Sequence, residues 1–237
     1  MKRVFSLNHQ SVKELLHGVP IFKDLTDEEF EPIVDLAVTR HYQVGSHVFM
    51  QGDPLKNVYF IHKGRVKVYK TDFHGKEQIV NVLQPGDMFP HAGFFRQDPY
   101  PAHAEIAESA VLIYIPIHSF EQFLLNNPEI CVKLFKVLGD KIVDLQNRLE
   151  EQVLHSTYEQ IIMLLLRLAK LYGQEMKGGQ VKLNTAFTNR EMANMIGSSR
   201  ETVSRTLTQL KKKEMIQTNP SGEFILHTDV LEEELFK

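Results

Sequence analysis

Near the C-terminus the run Ser199-Arg-Glu-Thr-Val-Ser-Arg205 gathers two guanidinium groups, a carboxylate and several hydroxyls within seven residues. On a helix, Arg200, Glu201, Ser204, Arg205 and Gln209 would stand outside, while Val203, Leu207 and Leu210 would face inward. A helix that is cationic and polar on its outer face can enter the major groove of DNA, where base edges present donors and acceptors. That is chemistry of recognition, and it requires elements that hold the face at an exposed edge.

The flanking sequence supplies them. Thr188-Asn-Arg-Glu191 reads as a capping box, in which each end residue satisfies a backbone N–H of the other. It opens a helix with Met192, Ala193 and Ile196 inside, which Gly197 ends by tolerating a left-handed backbone. Ser198-Ser-Arg-Glu201 reads as another box that starts the next helix at once. Two short helices around a tight glycine turn form a helix-turn-helix. Ile216–Thr218 and Phe224–His227, joined by Asn219-Pro-Ser-Gly222, read as a β-hairpin, which makes the unit winged. Charge agrees with this placement. The chain carries −3 overall, yet residues 186–213 carry six cations against two carboxylates, a local +4 that leaves −7 for the rest. Lys211–Lys213 are expected near passing phosphates, or else simply as a solvated helix end.

Upstream the pattern changes twice. Thr26-Asp-Glu-Glu29 is a capping box before Phe30, Ile33, Val34 and Ala37. From Arg40, β-type runs at His47–Met50, Val58–His62, Arg65–Lys70, Gln78–Leu83 and Val111–Pro116 are punctuated by glycines, which suggests an antiparallel barrel or jelly roll. After Asn127-Pro128 helical spacing returns. Leu134, Leu138, Ile142, Leu145 and Leu149 make a narrow stripe, with Lys141, Asp144, Arg148 and Glu151 opposite. Such a helix either lies on its own core or pairs with a second copy along Leu138, Ile142, Leu145 and Leu149; the narrow stripe and polar flanks favour pairing into a homodimer. A second helix buries Ile161, Leu164, Leu165 and Leu168, and Tyr172–Gln180, with three glycines, reads as a loop. The expected fold class is α+β: a β-roll domain with N-terminal helices over 1–127, a dimerisation helix over 128–153 and a winged helix-turn-helix domain over 154–237.

Composition bounds the function. At 43% hydrophobic and 24% charged, the 237 residues can bury a real core. Cys131 is the one cysteine, so neither an internal disulfide nor an iron–sulfur cluster is expected, and a reducing cytoplasm fits. Met1–Leu16 lacks the apolar stretch of a secretory signal, and the longest apolar runs are too short for a membrane span, so no membrane association is expected. An enzyme is not expected. A jelly-roll metal enzyme would need converging ligands, commonly an H-x-H pair, and neither that nor a phosphate loop nor a nucleophile elbow occurs. A cyclic-nucleotide-sensing module without DNA binding is the other rival, and the complete helix-turn-helix opposes it.

These features resemble the Crp/Fnr superfamily of bacterial transcription regulators. The resemblance covers nearly the whole chain and is strongest in Phe187–Ile216, continuing through Gly52–Leu83 and Gly86-Asp87. It implies a cyclic-nucleotide-binding-like β-roll, a dimerisation helix, a winged helix bound to double-stranded DNA, and control of RNA polymerase. It further implies that Arg200, Glu201 and Arg205 read bases, arginine at guanine and glutamate at cytosine, as in the cyclic-AMP-responsive branch. Ser204 matches a reader position of the oxygen-sensing branch, so the motif mixes the two. Thr188, Ser199, Thr202 and Lys211 complete the DNA-binding set, and Arg200 favours TGTGA-like half-sites. The effector pocket departs from the family pattern. Where cyclic-AMP responders carry Gly-Glu and then Arg-Ser, this chain has Pro90-His91 and Pro101-Ala102, which argues against cyclic-AMP binding of the usual kind and leaves the small-molecule effector open. His41, His47, His62, His74, His91 and His103 all fall in the roll and include potential haem or metal ligands, although histidines there are mostly surface or core residues. The chain broadly resembles ArcR-type activators of anaerobic arginine deiminase genes.

Overall fold

A computed structural model describes residues 9–22, 25–96, 98–176 and 178–236. Residues 1–8, part of the segment expected to lack a secretory signal, lie outside them. The chain divides into two compact units, 1–142 and 143–237.

The first unit opens with α1 (His9–His17), a 3-10 turn (Pro20–Phe22) and α2 (Asp27–Leu36). Thr26 and Glu29 cap α2 reciprocally, as the sequence indicates. Six strands follow: β1 (Val38–Tyr42), β2 (His47–Phe49), β3 (Asn57–Thr71), β4 (Glu77–Leu83), β5 (Met88–Phe89) and β6 (His103–Pro116). They form one antiparallel sheet in the order β1-β6-β3-β4, with β2 added on β6 and β5 on β3. The expected runs Val58–His62 and Arg65–Lys70 are a single bulged strand. Gly64 carries the chain across the irregularity at φ +85; a Cβ there would collide with Ser109 O and lie 2.7 Å from Ala110 Cα, so glycine is required. α3 (Ile117–Asn126) buries Ile117, Phe120, Phe123 and Leu124 against the helical end of the roll, where Phe22, Phe30 and Phe60 sit.

α4 (Pro128–Leu154) belongs to both units. In the first, Ile130 and Leu134 are buried and Leu138 packs half-buried on the same core. Ile142, the last residue of the first unit, is 56% exposed, and in the second unit Leu145 and Leu149 are 54% and 63% exposed. The polar side of this half faces its own unit: Glu151 accepts from Arg167 Nη1 at 3.0 and 2.9 Å, and Asp144 pairs with Arg148 at 2.7 Å.

The second unit continues with α5 (Thr157–Tyr172), whose Ile161, Leu164, Leu165 and Leu168 are all buried. A Ser156–Glu159 capping box opens it. The expected glycine loop is partly a strand. β7 (Gly173–Glu175) pairs with β8 (Gln180–Leu183), and with β9 (Ile216–Thr218) and β10 (Phe224–His227) they make a sheet ordered β7-β8-β10-β9. α6 (Asn189–Ile196) and α7 (Arg200–Lys212) lie between β8 and β9 in the chain, and α8 (Thr228–Leu235) closes it.

Candidate nucleic-acid interface

The two helices expected to form a helix-turn-helix do so. Thr188 Oγ1 accepts from Glu191 N at 3.1 Å, and Thr188 N donates back to Glu191 Oε2 at 2.8 Å. At the other end Gly197 adopts φ 70, ψ 21 and donates its N–H to Ala193 O, which ends α6. The next cap differs from the sequence reading. Ser199, not Ser198, caps α7: its Oγ accepts from Thr202 N at 3.1 Å and shares a hydrogen bond with Thr202 Oγ1 at 2.9 Å. Glu201 therefore takes no part in a box, and its carboxylate stays outside. The physical reason is the turn itself. With Gly197 left-handed and Ser198 N bonded to Ala193 O, Ser198 still belongs to the end of α6, so the extended N-cap conformation falls on Ser199.

α7 sorts its residues sharply. Val203, Leu207 and Leu210 are buried beside Met192 and Ala193, joined by Thr206, a polar residue that periodicity does not mark. Arg200, Glu201, Ser204 and Arg205 are exposed on the other side, and among the described residues the side chains of Arg200, Glu201 and Arg205 have no intramolecular hydrogen bond or ion pair. A charged group left to water on a rigid helix is available to a partner without first breaking an internal contact. Thr188, Ser199 and Thr202 are placed at the helix starts, with hydroxyls already engaged in capping. The lysines separate as well. Lys211 leans its ammonium over the Phe224 ring of the hairpin at 5.9 Å, and Lys212 is exposed. Lys213, expected near phosphate, instead donates to Tyr158 Oη and Glu234 Oε1. Those partners are 55 and 21 residues away in the chain, so no local pattern announces them.

The roll offers a different surface at the positions where the resemblance places an effector. Pro101 and Ala102 stand where the resemblance puts the phosphate-binding pair, and Tyr100 directly precedes them. Tyr100 is 3% exposed and stacks on Phe49 at 3.7 Å with the rings 4° from parallel. Its hydroxyl donates to Asn57 O at 3.0 Å and accepts from Asn57 N at 3.1 Å. Ala102 is buried, and Pro101 has no N–H to give. The one lysine or arginine between Gly86 and Ala102 is Arg96, which is largely exposed and paired with Asp98 at 2.7 Å. Burial, reinforced by the Lys141 ammonium, pushes His91 down to about 4, so its imidazole is neutral at pH 7 and cannot balance a phosphate. These residues do not fit a cyclic nucleotide held through its phosphate. Of the other roll histidines, His47 meets Tyr69 Oη at 2.9 Å and His103 Nδ1 accepts from Gln51 N at 3.2 Å. Among the described residues no group of three or more His, Cys, Asp or Glu could hold a metal ion, and no helix is long and apolar enough to cross a membrane.

Comparison with known proteins agrees with this architecture. Residues 39–127 match the cyclic nucleotide-binding domain family, and residues 159–234 match the Crp-like helix-turn-helix domain family. The chain is 24% identical over 204 residues to the Anaerobic regulatory protein of Bacillus subtilis, covering 86% of this chain and 85% of that one. It is 26% identical over 221 residues to a CRP-like cAMP-activated global transcriptional regulator of Mycobacterium tuberculosis, covering 91% and 95%. A solved structure of a CooA variant from Carboxydothermus hydrogenoformans superposes with a TM-score of 0.74 at 21% identity, covering 98% of each chain, and so shares the fold. With a cyclic-nucleotide-binding-type roll, a Crp-like helix-turn-helix and relatives that match along nearly its whole length, the chain belongs to the Crp/Fnr superfamily of DNA-binding transcription regulators.

Proposed function

We propose that the chain works as a homodimeric activator that places α7 of each copy in successive major grooves of a palindromic, TGTGA-like site and presents RNA polymerase with the bound complex. The observation that carries the reading is the exposed face Arg200, Glu201, Ser204 and Arg205, whose charged groups are free of internal partners. Arg200 and Arg205 suit guanine, and Glu201 suits cytosine. Lys211 supplies phosphate contact, while Thr188, Ser199 and Thr202 set the helix starts against the backbone.

Pairing is supported by the second half of α4, which turns Asp144, Arg148 and Glu151 toward its own unit and leaves Ile142, Leu145 and Leu149 bare. A helix with its polar side inward and its apolar side in water is stable only if something covers it, and a second copy offers the same stripe in self-complementary form. Phe135 and Val153, 71% and 70% exposed, extend the stripe at the same helical phase. On this reading 128–153 is the dimerisation helix between a roll domain over 1–127 and a DNA-binding domain over 154–237.

Activation by cyclic AMP, which the name of the mycobacterial relative states for that protein, is not carried over, because the phosphate would meet Pro101, Ala102 and a neutral His91. A cytoplasmic regulator of anaerobic genes, including arginine catabolism, fits the likeness to the Bacillus protein and the family resemblance. The test is selection of binding sites from random DNA by the purified full-length chain. A two-fold symmetric motif with half-sites about one helical turn apart is expected; recovery of no motif, or of one without symmetry, would overturn the reading.

A further inference from the structure

We propose that Lys213, Tyr158 and Glu234 form a clamp that fixes the exit of α7 toward the hairpin, with Lys213 a positioning residue for DNA reading and not a phosphate contact. The inference rests on the DNA-reading role of α7 and names a residue that its outer face does not include.

Lys213 is the C-cap of α7, and its N–H donates to Gln209 O and Lys211 O. Its ammonium donates to Tyr158 Oη at 3.2 Å and to the Glu234 carboxylate, and lies 5.4 Å from the centre of the Tyr158 ring. Tyr158 Oη in turn donates to Glu234 Oε1 at 2.9 Å. The three members come from the end of α7, the first turn of α5 and the last turn of α8. An exposed lysine–glutamate pair contributes little, because water solvates both charges nearly as well. Here the Glu234 side chain is only 8% exposed, so water solvates its charge poorly and the Lys213 and Tyr158 donors count for more than at an open surface. The carboxylate and the hydroxyl hold the Lys213 ammonium above the usual lysine range, as a committed ion pair would.

The backbone just beyond Lys213 gives the clamp its purpose. Glu214 adopts φ +58, a left-handed conformation that costs any residue with a Cβ and usually falls to glycine at a helix end. Met215 N then donates to Leu210 O at 3.1 Å, and β9 begins at Ile216. The chain therefore passes from reader helix to hairpin within three residues, through a strained one, and the clamp holds the residue just before it. Strain of this kind persists where neighbouring contacts over-determine the backbone. Among the described residues Lys211 and Lys212 have no such tie to α5 or α8, and they remain the cations able to follow phosphates.

The experiment compares full-length parent, Lys213→Met, Lys213→Arg and Lys212→Ala on two probes: the palindromic duplex that the parent selects from random DNA, and a scrambled duplex of equal length. Affinity is measured against KCl concentration. Lys213→Met should weaken binding to the selected duplex by roughly tenfold while leaving the scrambled duplex and the salt slope unchanged, and Lys213→Arg should restore most of the loss. Lys212→Ala should weaken both probes and flatten the slope by about one per protomer. A slope flattened in the same way by Lys213→Met would make Lys213 a phosphate contact and overturn the proposal. An unchanged affinity for the selected duplex would overturn it too, by showing a passive surface pair. If Lys213→Met does not fold, Tyr158→Phe removes the hydroxyl from both partners and keeps the ring, and a roughly threefold loss on the selected duplex alone is expected; equal losses on both probes would overturn the clamp. A parent that selects no palindrome fails the DNA-reading role itself, a result separate from any behaviour of the variants.

Discussion

The outer face of α7 and the interior of the roll around Tyr100 treat polar atoms in opposite ways. On α7 the guanidinium groups and the Glu201 carboxylate are left to water, while capping hydroxyls and buried Val203, Leu207 and Leu210 hold the helix beneath them. In the roll, Phe49, Tyr59, Phe89 and Tyr100 fill the interior, and the Tyr100 hydroxyl is committed to the backbone of Asn57. One region leaves its charged groups exposed on a rigid support, and the other satisfies its hydroxyl internally. The chain matches a Crp-like helix-turn-helix and a cyclic nucleotide-binding domain alike, but at Pro101 and Ala102 the second offers a phosphate no charged partner.

The sharpest challenge to this contrast comes through the seam on which a two-headed reader depends. Leu145→Glu would set two carboxylates against each other in an apolar interface, and a buried charge without a partner costs about 4 kcal/mol, roughly a thousandfold in the dimer constant. Sedimentation at micromolar concentration should show monomer, with loss of binding to the palindromic duplex. A mutant that stays fully dimeric would remove this seam.

The roll should show the burial of His91 in its response to acid. His91 stays neutral when folded down to about pH 4, whereas the unfolded chain protonates near the ordinary value of 6.5. Between those limits the unfolded state binds more protons, so stability falls as pH falls, by up to about 3 kcal/mol, and is insensitive to this group above pH ~6.5. Urea unfolding of the first unit at pH 7 and pH 5 should show the decline in the parent and a smaller one in His91→Gln. An equal decline in both would assign the acid sensitivity elsewhere.

On the reader, Arg205→Ala should cost roughly 1–3 kcal/mol per half-site and relax one base position, since a guanine loses its bidentate partner. Site selection with this variant should return a motif degenerate at that position; an unchanged motif would place base reading on other residues. The smallest effect is expected from cyclic AMP. A ligand present at a hundred times its dissociation constant would stabilise the fold by about 2.7 kcal/mol. Millimolar cyclic AMP should instead leave the melting temperature of the first unit where it was. A saturable rise that also tightens DNA binding would mean that the roll is open after all.

The reader is legible in the sequence because its signals are local. The Thr188–Glu191 box, Gly197 and both hairpin strands lie where short-range patterns put them. α3 and α8 are not legible. Pro116 and His227 precede them without a side-chain cap hydrogen bond, so no start signal stands in the sequence. The merger of two runs into β3 depends on the approach of Ser109 and Ala110, some 45 residues further on, and the commitment of Lys213 depends on Tyr158 and Glu234. Pairings of that range are set by tertiary packing, which periodicity does not report. The stripe on α4 reads as one surface in the sequence, whereas Leu134 and Leu138 serve the core of the first unit and Ile142 onward stay uncovered, a division that depends on where the roll ends.

That uncovered stretch of α4 has a consequence for dosage. If two chains must meet before either reader is useful, promoter occupancy in dilute conditions rises with the square of the protein's abundance. A twofold change in expression then becomes nearly a fourfold change in bound sites, so the regulator would respond steeply to its own copy number.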